Sequence, residues 1–111
     1  MSDAISFKDG LVRASGDEEL YREILKEFAD LYQNADTELR EMMMQDDLDQ
    51  AQKLCLDIRG VAANIGAQPL AQTAGQLQEV LVKREEKDLI SLTKVFQVQI
   101  HELLEAINAQ F

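Results

Sequence analysis

The stretch Leu54-Cys55-Leu56-Asp57-Ile58-Arg59-Gly60-Val61-Ala62-Ala63-Asn64-Ile65-Gly66-Ala67 decides how this chain folds. Its large apolar residues Leu54, Ile58, Val61 and Ile65 recur at steps of four, three and four. That rhythm marks one buried face of a helix. At about 100° per residue the side chains fall in a stripe roughly 60° wide. Leu56 points about 160–180° away from the middle of that stripe, and Gly60, one turn later, points almost the same way. The expected helix therefore buries Leu54, Ile58, Val61 and Ile65 and presents Leu56 beside Gly60 on its outer face. A leucine next to a glycine on an outer ridge has the shape of a contact surface.

Upstream, Gly16-Asp17 opens a long helix over about 17–44. Its first turn, Asp17, Glu18 and Glu19, suits the positive end of the helix dipole. Leu20, Ile24, Phe28, Leu31, Ala35 and Leu39 are its expected inner face. Asp46 or Asp47 caps the helix of the quoted stretch, over about 48–65, and Gly66 ends it. Pro69 fits the first turn of the next helix, over about 69–84, with Leu70, Ala74, Leu77 and Leu81 inward. The charged run Lys83 to Lys87 turns the chain. A last helix over about 88–109 turns Leu89, Leu92, Phe96, Ile100, Leu103 and Ile107 inward. A short extra helix is expected over about 5–14, with Ile5, Phe7 and Leu11 covering one end of the core. Short connections make successive helices antiparallel. The expected fold is all-α: an up-down-up-down antiparallel four-helix bundle with a short N-terminal helix, one domain over residues 1–111.

Composition agrees with this class and removes several functions. At 46% hydrophobic and 29% charged residues, the chain is globular rather than disordered. Its formal net charge is −10. Nucleic-acid binding draws most of its affinity from neutralised phosphates, so no nucleic-acid partner is expected. An anionic membrane surface is disfavoured for the same reason. No apolar run approaches the roughly 18 residues of a membrane span. The opening Met1-Ser2-Asp3-Ala4 lacks the basic and apolar regions of a signal peptide. A single cysteine, Cys55, excludes an internal disulfide and fits a reducing cytoplasm. Near the edge of the core stripe, Cys55 reads as a small buried hydrophobe rather than a reactive thiol.

The quoted stretch resembles the signature of histidine-containing phosphotransfer (Hpt) domains, the histidine relay modules of two-component signalling. Their helix reads approximately A-H-x-L-K-G-x-A-x-x-[IL]-G-A. Ile58, Arg59, Gly60, Ala62, Ile65, Gly66 and Ala67 match in register, and the histidine position falls on Leu56. Phe7-Lys8-Asp9-Gly10-Leu11-Val12-Arg13, Gly16-Asp17-Glu18-Glu19-Leu20-Tyr21 and Ile24-Leu25-Lys26-Glu27-Phe28 are similar to the usual opening of these domains. The resemblance implies a phosphotransfer frame without its nucleophile. A phosphorelay histidine must offer an exposed ring nitrogen, and imidazole is neutral and nucleophilic near pH 7. Leucine has no lone pair, so transfer through position 56 is chemically excluded. Arg59 stands where the family usually has lysine and keeps a cation able to hold phosphate oxygens bidentately. A solvated arginine is an equal reading of it. Gly60 costs about 1 kcal/mol in a helix interior relative to Ala, and in the family a small residue there lets a receiver domain approach. Gln52, Ala63 and Asn64 flank the same surface.

His101 precedes Glu102-Leu103-Leu104, a faint likeness to a kinase phosphoacceptor helix without its Arg and Pro, and reads as an ordinary surface histidine. Asp46, Asp47 and Asp49 lack the glycine and terminal glutamate of a calcium loop and read as capping and solvated residues. Met42, Met43 and Met44 read as core and rim at a helix end. No nucleophile–base pair, metal cluster or phosphate loop is visible, so no enzymatic activity, metal or cofactor is expected. The resemblance implies a monomeric cytoplasmic module that docks response-regulator receiver domains, sensor histidine kinases or both. Its partner-binding residues would be Gln52, Leu56, Arg59, Gly60, Ala63 and Asn64. Either a natural degenerate Hpt domain or a His→Leu variant of an active carrier accounts for Leu56. The alternative is a helical interaction scaffold unrelated to phosphorelays.

Overall fold

The computed structural model describes residues 3–111; Met1 and Ser2, part of the opening read above for a leader, lie outside them. Six helical segments follow in order: α1 (Phe7–Arg13), α2 (Glu18–Tyr32), α3 (Ala35–Met44), α4 (Leu48–Ile65), α5 (Gln68–Lys83) and α6 (Leu89–Asn108). No strand occurs among the described residues. Three of the helices, α1, α2 and α4, start where a side chain satisfies a free backbone N–H group. Ser6 Oγ accepts from Asp9 N at 3.2 Å, Asp17 Oδ1 from Leu20 N at 3.0 Å, and Asp47 Oδ1 from Gln50 N at 3.3 Å. Each such cap contributes about 1 kcal/mol.

The long helix expected over 17–44 is interrupted at Gln33 and Asn34. Asn34 leaves the helical range at φ −114° and ψ 18°. Gln33 Nε2 reaches back to the Asp30 carbonyl at 3.4 Å. Asparagine is a weak helix former, and the chain restarts as α3 with Glu38 N donating to the Asn34 carbonyl at 2.9 Å.

Two faces turn relative to expectation. On α2 the buried face is Tyr21, Leu25, Phe28 and Tyr32; Leu20 and Leu31 are exposed and Ile24 is half-buried. The tyrosines win because an aromatic ring buries about 150–250 Å² and each has a place here. Tyr21 Oη donates to the Ile65 carbonyl at 2.7 Å, and the Tyr32 ring lies 4.9 Å from that of Phe28, centroid to centroid. On α4 the buried stripe is Ala51, Cys55, Ile58, Ala62 and Ile65, with Leu54 and Val61 half-buried at its edge. The stripe has turned by about 50° toward its small residues. α4 packs most extensively on α5, whose buried face also carries small residues, Ala71 and Ala74. Small side chains on both faces let the two axes approach. The remaining faces lie as expected: Leu70, Ala74, Leu77 and Leu81 on α5, and Phe96, Ile100, Leu103 and Ile107 on α6, are buried. Leu89 and Leu92 are half-buried against that core, as are Phe7 and Leu11 beside buried Ile5.

Cross-contacts fix the directions. Ala63 meets Gln68, Arg59 meets Gln78 and Gln52 meets Leu81, so α4 and α5 run antiparallel. Arg22 stacks on Phe111 at 4.7 Å and Asp36 holds His101, so the α2–α3 arm runs antiparallel to α6. The α2–α3 arm packs on both α4 and α6, which places it diagonally across from α5.

Gly66 turns the chain from α4 into α5. Its φ of +91° is a left-handed conformation that disfavours side chains. Ala67 N then donates to the Ala62 carbonyl at 2.8 Å and Gly66 N to that of Ala63 at 3.3 Å, a Schellman closure. A methyl at Gly66 would also collide with the Ser6 carbonyl, because the chain entering α1 donates Ser6 N to the Gly66 carbonyl at 2.9 Å. Gly16 also has a positive φ, +76°, but faces open space. Gly16→Ala should therefore cost only the backbone term, about 1–2 kcal/mol. Gly66→Ala should cost at least about 1–3 kcal/mol more through overpacking. Urea denaturation of both variants checks this ordering; equal losses would remove the steric role of the Ser6 contact.

Candidate functional site

The outer side of α4 follows from its buried stripe. With Ala51, Cys55, Ile58, Ala62 and Ile65 inward, Gly60 points about 180° and Leu56 about 140° away from the core. Leu56 is 47% exposed, and nothing lies within 4 Å of the space a Cβ would take at Gly60. A large apolar side chain thus stands beside an open notch.

The other expected residues fall around this pair. Gln52 is half-buried, with Nε2 donating to the Leu81 carbonyl at 3.5 Å. Ala63 is half-buried and its carbonyl accepts from Gln68 Nε2 at 3.5 Å. Arg59 is exposed and leans across the seam to α5, where Nη1 donates to Gln78 Oε1 at 3.4 Å. Gln52, Leu56, Arg59 and Ala63 therefore share the side of α4 that faces α5, and Gly60 adjoins them. Asn64 is exposed on the flank farther from α5. Two α5 residues complete the surface and are absent from the sequence reading. Gly75 lies under Arg59, whose Cδ would sit 3.3 Å from a Cβ at that position, and Gln78 receives the guanidinium. The signal that marks them is compositional: Gln68 to Gln78 has no charged residue in a chain of net charge −10.

The model of the Hpt domain family matches residues 19–110, from the start of α2 to the end of α6. This chain belongs to the Hpt domain family. Hpt domains are phosphotransfer carriers rather than catalysts, and they interact with receiver and kinase domains in phosphorelays. Neither the curated proteins nor the solved structures include a significant match. α1, whose residues carried part of the resemblance, lies outside the matched span. Among the described residues no helix is long and apolar enough to cross a membrane, and no group of three or more His, Cys, Asp or Glu is arranged to hold a metal ion.

Two other titratable groups have structural settings. Cys55 is buried on the core side of α4, and burial pushes its thiol up to about 12. Its thiolate is scarce at any physiological pH. His101 is exposed on α6, yet its Nε2 sits 2.7 Å from Oδ2 of Asp36, a buried carboxyl whose Oδ1 meets Arg40 Nη2 at 3.2 Å. The pair ties α3 to α6. Nothing in the sequence signals it, because its members are 65 positions apart.

Iodoacetamide at pH 8 should leave Cys55 of the folded protein unmodified and alkylate it in urea, with labelling that follows the unfolding curve by mass spectrometry. Fast labelling of the native state would contradict the buried thiol. Asp36→Ala leaves Arg40 and His101 without their shared acceptor and should cost about 1–3 kcal/mol. His101→Ala removes one exposed partner and should cost under about 1 kcal/mol. Chemical denaturation of the two variants ranks them.

Proposed function

We propose that this protein is an Hpt module, built as an up-down-up-down bundle, that docks receiver or sensor histidine kinase domains and carries no phosphate itself. In this reading Leu56 stands where the family's histidine would be. The observation that carries it is the exposure of Leu56 beside the open space over Gly60. That is the setting a phosphoacceptor needs: solvent access for the ring, and no side chain barring the incoming domain. Leucine supplies the setting without the nucleophile. The same ridge then works as a contact surface, with Gln52, Arg59, Ala63 and Asn64 around it. Docking without transfer would let the protein occupy a relay partner and withhold it from an active carrier. The proposed setting is a monomer in the cytoplasm, with neither nucleic acid nor membrane as a partner.

Restoring the histidine tests this. Leu56 is half-exposed, so Leu56→His should change stability by no more than about 0.5 kcal/mol. The variant should acquire acid-labile phosphate from a phosphorylated receiver of the source organism, while the native protein and Leu56→Ala stay unlabelled. Gly60→Gln added to Leu56→His should block the transfer by filling the notch. Two results would sink the reading: stoichiometric label on His101 of the native protein, or a folded Leu56→His variant that no receiver phosphorylates.

A further inference from the structure

The end of the bundle away from Gly66 holds a cavity of about 290 Å³ between the α3–α4 turn and the α5–α6 turn. Met43, Leu48, Leu81 and Leu89 form its inner wall, and each is buried or half-buried. Its rim is charged and exposed: Asp46 stands on one turn, Arg84, Glu85 and Glu86 on the other. The ion pairs of the described residues join Asp36 to Arg40 and His101, so these four rim charges are unpaired. The two turns are built alike. Asp47 N donates to the Met42 carbonyl at 2.8 Å to close α3, and Glu85 N to that of Val80 at 3.1 Å to close α5. The left-handed position is held by Asp46 in the first turn and by Arg84 in the second, both at φ +56°. Glycine fills such a position without steric cost, whereas a side chain there is disfavoured. Here the two disfavoured positions carry opposite charges and stand on the rim of one cavity. Local strain of this kind gathers at ligand clamps.

We propose that this cavity binds a small zwitterion with an apolar side chain, of the α-amino-acid class. Its carboxylate meets Arg84, its ammonium group meets Asp46, and its side chain lies on the wall of Met43, Leu48, Leu81 and Leu89. Charge complementarity selects the class. A purely anionic ligand meets three carboxylates beside one guanidinium. A purely cationic ligand lies against Arg84. A neutral apolar ligand covers charged groups and returns nothing for the water they lose. A zwitterion matches both signs, and the planar guanidinium fork takes a carboxylate through two parallel bonds. Size agrees, because pockets for small molecules begin at about 300 Å³. The site is independent of the docking reading: the cavity lies at the first turn of α4, and Leu56 stands about two turns further along.

Amide-resolved NMR titration of the full chain decides this, with L-leucine, L-methionine and L-phenylalanine as probes. At least one should shift the amides of Leu48, Leu81 and Leu89 with a Kd of about 1 mM or tighter, a range open to ligands of this size. Two analogues of L-leucine isolate the charges: isocaproate lacks the amine, and isoamylamine lacks the carboxylate. Each should bind about threefold to tenfold more weakly than the amino acid. Arg84→Asn and Asp46→Asn remove one charge each and keep a residue that tolerates the left-handed turn. Arg84→Asn should weaken the amino acid and leave isoamylamine unchanged; Asp46→Asn should weaken the amino acid and leave isocaproate unchanged. Should either variant fail to fold, the two analogues on the native protein decide alone. The proposal is overturned if no probe shifts the cavity amides up to about 10 mM. It is equally overturned if the shifts spread over the acids of α2, if either analogue binds as tightly as L-leucine, or if a folded Arg84→Asn variant keeps full affinity.

Discussion

The left-handed turn at Gly66 is the constraint on which the rest of this molecule rests. Its positive φ closes α4 with two backbone hydrogen bonds and sends α5 back along it at once. The carbonyl of the same glycine accepts from Ser6, and the carbonyl just before it accepts from the Tyr21 phenol. Gly10 approaches so closely that a methyl there would collide with both Tyr21 Oη and the Ile65 carbonyl. α1, α2, α4 and α5 thus meet within a few atoms of one corner. A buried phenol is expensive unless bonded, and the Ile65 carbonyl at the helix end is an acceptor that the helix itself no longer uses. The corner satisfies both at once, and burial pushes the Tyr21 hydroxyl up to about 12, so it stays a donor at any physiological pH.

The parts of this arrangement that the sequence announces are those governed by local chemistry. The acidic opening at Asp17, a cap at Asp46 or Asp47, Gly66 as a stop and Pro69 in the next first turn each act within a few residues, so they can be read without a fold, though only the structure makes Asp17 and Asp47 the capping residues. Helix faces are less local. Counting bulky aliphatic side chains selects Leu20, Ile24 and Leu31 on α2, whereas burial is settled by which partners the opposite wall offers. Phe28 and the Ile65 carbonyl offer places to Tyr32 and Tyr21 instead. On α4 the same habit overweights Leu54 and Val61 and overlooks Ala51, Cys55 and Ala62, whose merit is the close approach of α5. The break at Gln33 and Asn34 shows the limit of periodicity: an apolar rhythm runs through a backbone that does not.

The candidate surface survived the error in the α4 face because it lies far from the edge that moved. A 50° turn of the stripe moves Leu54 and Val61 from the expected stripe to the edge of the observed one. It leaves Leu56 and Gly60 on the outer side either way. The α5 half of the surface had no such margin. Gly75 and Gln78 acquire meaning only once the antiparallel register sets them beside Arg59, and register between two helices is not written in either one alone.

Charge distribution gives this surface its direction. The acids of α2, from Asp17 to Asp30, are on the arm diagonally across the bundle from α5. The bundle is 20–25 Å across its shorter axes, while charges in physiological salt are screened over about 8 Å. An anionic partner therefore feels the acidic arm only when it approaches that arm, and it is turned away there. At the α4–α5 seam it meets amides, an apolar ridge and the cation Arg59, which no carboxylate pairs. A net charge of −10 is compatible with binding an acidic partner because the charge is not shared evenly among the faces. In the proposed docking, the acidic arm would exclude wrong orientations and leave the seam beside Leu56 as the face open to an acidic partner.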